Sequence, residues 1–304
     1  MFPGQGSHKV GMGRALAETF PICRETFAEA DAALGEPLSQ LCFEGPEERL
    51  MLTEHAQPAI LAVSTAAARL LASKDITPDF VAGHSLGEYS ANVAAGTFSF
   101  ADAVRLVRRR GRYMQEAVPV GTGAMAAILG LDADLVAKAC DEAAQGEVVS
   151  PANLNGAGQV VIAGAKDAVA RAGERARAAG AKRVIPLPVS APFHRALMKP
   201  AELRLAPELR ALSARDPRMP VVANVDADAK RRAADAIEAL VAQVTAPVRW
   251  EAVVRRLASE GVTTYVEVGP GTVLSGLARK AQRDAVTAAL GSPEDLAAVE
   301  SLVQ

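Results

Sequence analysis

Pro78-Asp79-Phe80-Val81-Ala82-Gly83-His84-Ser85-Leu86-Gly87-Glu88-Tyr89-Ser90-Ala91-Asn92-Val93-Ala94-Ala95 is the stretch that decides the fold. Residues 80–83 read as a short buried strand after a proline, and Leu86–Ala95 as the helix that follows it. Between them, Gly83-His84-Ser85-Leu86-Gly87 fits the G-x-S-x-G turn that presents a nucleophilic serine at the edge of a parallel sheet. The reason for the pattern is steric. A sharp strand-to-helix turn forces the serine backbone into a strained region, and glycines two residues away on either side let the turn close. The hydroxyl then stands at a helix N-terminus, where free amides and the helix dipole favour developing negative charge. The competing reading is a glycine-rich turn with Ser85 as a helix cap.

Strand–turn–helix alternation continues on both sides. Residues 59–73 and 100–117 read as helices, the second stopped by Pro119. Residues 219–223 and Thr264–Val268 read as strands, with helices at 235–244, Trp250–Ser259 and 272–282, and a short amphipathic helix or frayed end after Gly291. This is an α/β pattern with a parallel sheet and helices on its faces. The segment 121–189 has another rhythm. Strands at 124–129, 148–154, 159–163 and 183–189 and helices at 132–144 and 167–179 follow the order β-α-β-β-α-β, which is the ferredoxin-like arrangement. The expected organisation is therefore a large domain from residues 1–120 and 190–304, with residues 121–189 inserted as a smaller subdomain.

Composition narrows the function. The 304 residues are half apolar, enough for one sizeable core or for one domain carrying a smaller one. A net charge of -2 gives no sign of a nucleic-acid partner. The longest apolar helical run, 59–72, contains Ser64, Thr65 and Arg69 and is too short to span a bilayer. The N-terminus has neither a basic start nor an apolar stretch, so a cytoplasmic protein is expected. Cys23, Cys42 and Cys140 form no metal spacing and no disulfide framework. They are expected as core or surface thiols in a reducing compartment, and no metal site is expected.

A serine nucleophile needs a base, and histidine is the usual one at neutral pH. The chain has four histidines. His84 adjoins Ser85, where successive side chains diverge. His8 lies in a glycine-rich loop and His55 ahead of a helix. His194, in Ser190-Ala191-Pro192-Phe193-His194, follows an apolar strand, where catalytic groups of α/β sheets gather, and so leads by elimination. No acid stands out to complete a triad: Asp226 and Glu267 are candidates, and a backbone carbonyl could orient the imidazole instead. In the helix at 100–117, Arg110 falls on one stripe with Ala103, Val107 and Met114, so it is predicted to point inward. A buried guanidinium needs an anion. Either it receives a substrate carboxylate or it forms an internal salt bridge.

Several motifs occur together: Phe2-Pro3-Gly4-Gln5-Gly6-Ser7, Glu54-His55-Ala56-Gln57-Pro58-Ala59, the elbow through Glu88, Arg110-Gly111 with Met114-Gln115, Ser190 to His194, Pro247-Val248-Arg249-Trp250, and Glu267-Val268-Gly269-Pro270-Gly271. In these residues, over nearly its whole length, the chain resembles the malonyl-CoA:acyl carrier protein transacylases of bacterial fatty acid synthesis. The resemblance implies an α/β-hydrolase-like large domain with a ferredoxin-like subdomain. It implies ping-pong transfer of malonyl from malonyl-CoA to the phosphopantetheine of holo-acyl carrier protein, with no metal or bound cofactor. Ser85 would be the nucleophile and His194 its base. The amides of Gln5 and Leu86 would form the oxyanion hole, and Arg110 would pair with the malonyl carboxylate. The backbone carbonyl of Gln243 would orient the histidine. Gln57 would support loops near the site, and Asn155 would contact substrate or carrier. Leu86 and Phe193 resemble the bulk that favours malonyl over methylmalonyl in related polyketide acyltransferases. Partners are the coenzyme A thioester and the acidic carrier, met by basic surface residues; a monomer is expected, with no membrane partner.

Two departures stand out. Such proteins carry a short apolar strand ahead of Phe-Pro-Gly-Gln-Gly, whereas this chain starts almost at the motif, so either its start is truncated or a sheet strand is lost, and either would weaken the anchor for Gln5. His8 stands where the family pattern has glutamine, and is expected as a surface change. A stand-alone polyketide acyltransferase, a hydrolase and a silent carrier-binding protein are the other readings.

Overall fold

The computed structural model describes residues 1–119, 121–187 and 192–303. Its strands are β1 (Val81–Ala82), β2 (Gly123–Leu129), β3 (Val149–Gly156), β4 (Gln159–Ala165), β5 (Arg183–Pro186), β6 (Val221–Val222), β7 (Ala229–Lys230), β8 (Thr264–Val268) and β9 (Val286–Leu290). β1 pairs in parallel with β6, and β7 runs antiparallel on the far side of β6. β8 and β9 form a second parallel pair. Both residues of β1 and both of β6 are buried, as strands covered on two faces require.

Met1 and Phe2 join these two groups. Phe2 N donates to Ala82 O at 2.9 Å, and His84 N donates to Phe2 O at 3.0 Å. On the other side, Met1 N donates to Val266 O at 2.7 Å and Val268 N to Met1 O at 2.8 Å. Met1 and Phe2 thus occupy a strand position between β1 and β8. Gln5 itself is tied by its side chain, Nε2 donating to Thr53 Oγ1 at 3.2 Å.

Helices cover the sheet. Thr53–Ala72 is buried along most of its length and packs on Phe100–Glu116 and Pro21–Leu34. It starts six residues before the expected 59 and carries Pro58 inside. Pro58 cannot donate to the carbonyl of Glu54, four residues back. Arg108 Nη1 donates to that carbonyl instead, at 3.2 Å, so the helix continues through the proline. Further elements have no counterpart in the sequence expectations: four helices within residues 14–50, helix Lys199–Arg210, β7 and β9.

Residues 123–186 form a four-stranded antiparallel sheet in the order β3-β4-β2-β5. Helices Ala133–Ala144 and Lys166–Ala178 pack together on it around a separate apolar core that includes Ile128, Val136, Val160, Ile162 and Val169. The last strand, expected over 183–189, ends at Pro186, and residues 188–189 lie outside the described residues, as do Ser190 and Ala191. β3 is irregular at Pro151/Asn153 and at Leu154/Gly156. There it pairs with Val248 of the larger part: Leu154 N donates to Val248 O and Val248 N to Ala152 O, each at 2.8 Å. All three cysteines are free and buried, and burial pushes the thiols of Cys23, Cys42 and Cys140 up to about 11, 12 and 12.

Candidate active site

Ser85 begins the helix Leu86–Ala95 with φ 52° and ψ -107°, a backbone conformation costly for a residue bearing a Cβ. The glycines around it are enforced by contact. A Cβ on Gly83 would lie 2.0 Å from the main chain of Gly87, and one on Gly87 would lie 2.0 Å from the carbonyl oxygen of Phe2. The side chain of Ser85 makes no helix-capping bond. Its Oγ lies 2.6 Å from His194 Nε2 instead. Asn224 pins the turn: its Oδ1 accepts from Ser85 N and its Nδ2 donates to Gly83 O, both at 2.7 Å.

His194 also has a positive φ, 59°. Its Nδ1 lies 3.0 Å from the main-chain oxygen of Gln243. A carbonyl can only accept, so Nδ1 carries the hydrogen and the Nε2 lone pair faces the Ser85 hydroxyl. Burial, together with the Arg110 cation, pushes the imidazole down to about 3. It is therefore neutral and able to accept a proton across the physiological range. The two candidate acids are occupied elsewhere. Glu267 accepts from Leu274 N and Ser275 N at the start of helix Val273–Ala281. Asp226 accepts from Asp228 N and Lys230 Nζ. The remaining histidines are committed too: His55 to Arg108, and His84 to Asn155 at 2.9 Å. His8 is half-buried and accepts from Gly6 N, and it lines the cavity mouth.

The stripe carrying Arg110 is buried as predicted, and Arg110 itself is 1% exposed. Its Nη1 donates to Gln57 Oε1 at 2.7 Å and its Nη2 to Gln243 Oε1 at 3.0 Å, with Ser85 Oγ 3.4 Å away. The guanidinium lies 5.1 Å from the Tyr89 ring centre. Among the described residues no carboxylate lies within ion-pair distance of it, and its Nε is buried without a partner. The internal salt bridge is therefore not formed. Gln57, expected to support loops near the site, supplies an acceptor to Arg110.

Ser85, His194, Arg110, Gln57, Gln5, Leu86 and Phe193 line one cavity of about 220 Å³. Leu86 N is the first amide of its helix and has no acceptor within it. The loop bearing Gln5 lies against the elbow: a Cβ on Gly4 would be 2.4 Å from His84 O. Asn155 Oδ1 pairs with the ring of His84, which lines the cavity together with Asn153. Sequence reasoning missed Asn224, although a polar residue just past the strand expected at 219–223 is a usable signal. It also gave no role to Glu88, the one charged residue of its helix and buried there.

A fold of parallel strands under helices, with a serine elbow, a carbonyl-oriented histidine and an unneutralised arginine, describes an acyl-transferring enzyme of the serine-ester kind. The family profile "Acyl transferase domain" matches residues 1–297, and the chain belongs to that family. It is 53% identical over 303 residues to the malonyl CoA-acyl carrier protein transacylase of Escherichia coli K12, covering 99% of this chain and 98% of that protein. It is 51% identical over 297 residues to the protein of that name from Bacillus subtilis, covering 97% and 94%. An acyl carrier protein S-malonyltransferase from Vibrio cholerae superposes with a TM-score of 0.95 at 49% identity, covering 98% of each chain. A malonyl transacylase solved with a type II polyketide acyl carrier protein superposes with a TM-score of 0.96 at 49% identity, covering 99% and 98%. No helix among the described residues is long and apolar enough to cross a membrane.

Proposed function

We propose that this chain moves malonyl from malonyl-CoA to the phosphopantetheine thiol of acyl carrier protein, in fatty acid chain elongation, through an ester on Ser85. The observation that carries the reading is Arg110: a buried cation with neutral acceptors only, 3.4 Å from the nucleophile's oxygen. A malonyl group has one carboxylate to satisfy that cation and one thioester carbonyl for the serine. An acetyl group would leave the guanidinium without an anion, at about 1–3 kcal/mol.

The proton accounting follows from the tautomer. His194 Nε2 takes the Ser85 proton as Oγ attacks the thioester carbon, while the imidazolium is held by the Gln243 carbonyl. The amides of Gln5 and Leu86 receive the oxyanion. Collapse expels the coenzyme A thiolate, which leaves with the proton from His194. In the second half the carrier's thiol gives its proton to His194 and attacks the ester, and Ser85 Oγ recovers the proton on leaving. These steps use no metal or bound cofactor. Bulk at Leu86 and Phe193 favours malonyl over methylmalonyl. The sheet order β3-β4-β2-β5, in β-α-β-β-α-β succession, supports an inserted ferredoxin-like subdomain at 121–189. Residues 1–120 and 190–304 would then be an α/β-hydrolase-like catalytic domain. The protein would work as a cytoplasmic monomer that meets the acidic carrier through basic surface residues.

Intact-mass measurement after incubation with malonyl-CoA tests this. Wild type should gain one malonyl group, discharged by holo-carrier protein, and Ser85→Ala should gain none. Steady release of coenzyme A without an adduct would mean a hydrolase and would overturn the transferase reading.

A further inference from the structure

Glu88 lies one helical turn beyond Ser85, is 1% exposed and touches none of the cavity. Its Oε2 accepts from Gln243 Nε2 at 2.7 Å and from Asn224 N at 3.0 Å. Gln243 is the hub of the site. Its Nε2 also donates to Ser85 O at 3.0 Å, its Oε1 accepts from Arg110 Nη2, and its main-chain oxygen holds His194. An amide can be flipped end for end, and its shape alone does not decide which end faces Arg110. Glu88 decides it. An acceptor below Gln243 draws the NH2 group down and leaves the oxygen toward the guanidinium. The flipped amide would set NH2 against a buried cation and oxygen against a carboxyl oxygen, two unfavourable contacts in a dry site.

We infer that Glu88 is a positioning residue for acyl-group selection: by fixing the Gln243 amide it aims the Arg110 guanidinium at the free carboxylate of the acyl donor. The inference rests on the proposed role of Arg110. It separates Glu88 from Asn224, the second residue its carboxyl touches. Asn224 clamps the serine elbow and serves every donor, whereas the Glu88–Gln243–Arg110 line serves donors with a free carboxylate.

The test is the ratio of kcat/KM for malonyl-CoA to that for acetyl-CoA. Glu88→Met fills the same space without an acceptor, and the ratio should fall about 10- to 100-fold, as expected for loss of a buried bond to a charged group. Glu88→Gln keeps an acceptor oxygen and should restore most of the ratio. Gln243→Met retains the main-chain carbonyl for His194 and should lower the ratio like Glu88→Met, which keeps the question open to test if Glu88→Met does not fold. An equal fall with both donors would mean Glu88 merely supports the elbow, and an unchanged ratio or a Glu88→Gln as impaired as Glu88→Met would also overturn the inference. Arg110→Ala runs beside them. If it leaves the malonyl preference intact, the carboxylate role of Arg110 fails; if it removes the preference while Glu88→Met does not, only the role of Glu88 fails.

Discussion

Ser85 and His194 share an unusual property for residues with a Cβ: both have φ near +55°, at 52° and 59°. The left-handed region costs such a residue about 1–2 kcal/mol relative to glycine. Ser85→Ala and Ser85→Gly both delete the hydroxyl, and both should lose transfer. They differ only in the strained Cβ, so Ser85→Gly should melt higher than Ser85→Ala by about 1 kcal/mol in a thermal scan. Equal melting points would show that the elbow holds no strain. The residue scale is also where the sequence was most and least readable. Ser85, His194 and Arg110 stood out because elbow spacing, strand ends and helical periodicity each mark a single position. Gln243 and Gln57 carry no such mark, because their roles arise where separate segments meet. The resemblance, rather than any pattern, pointed to the Gln243 carbonyl.

Elements bounded by local rules were legible to the residue. Leu86–Ala95 starts after the elbow and ends at Gly96 in the left-handed conformation. Trp250–Ser259 and Thr264–Val268 also fall where the apolar pattern places them. Elements that break a local rule were missed. Lys199–Arg210 contains Pro207, and β9 is Val-Thr-Ala-Ala-Leu, which alanine makes look helical. β9 is a strand because β8 offers it five parallel rungs. The elbow's own limits give a prediction. Gly87→Ala would drive a methyl into the Phe2 carbonyl, 2.0 Å away, on a main chain fixed between two strands. Overpacking of this kind costs about 1–3 kcal/mol or more. The variant should melt well below wild type, whereas Gly276→Ala, in a helix with nothing near its new Cβ, should not. Denaturation midpoints for the pair would decide.

For the whole molecule, two buried groups set opposing pH dependences. His194 falls from 6.5 in the unfolded chain to about 3, so between those values the unfolded chain holds the extra proton and stability rises with pH. Burial raises Glu88 from 4.5 to about 7, against the pull of Gln243 and Asn224, so between those values the folded chain holds the extra proton and stability falls as pH rises. From about 4.5 to 6.5 the two slopes oppose. Glu88→Gln should expose the slope of the buried histidines there, about 1.4 kcal/mol per pH unit from His194 and more with His84, which burial also lowers, in denaturant midpoints taken at several pH values. A profile unchanged by the substitution would show that Glu88 does not titrate in that window. The same depressed imidazole predicts that acylation of Ser85, followed by rapid-quench mass measurement, stays nearly flat from pH 8 to pH 5 without a midpoint near 6.5.

The buried cysteines turn this architecture into its own gauge. A thiol held at about 11 or 12 and shut away from solvent cannot be alkylated until the structure around it opens. Cys23 and Cys42 lie in the core shared by the helices around the large sheet, and Cys140 lies in the separate core under β2–β5. Labelling rates at Cys140 and at the other pair therefore report two openings independently. Equal rates would mean that the seam of Val248 on β3 makes the molecule breathe as one cooperative body; faster capture at Cys140 would mean that the β2–β5 unit opens while the larger core stays shut.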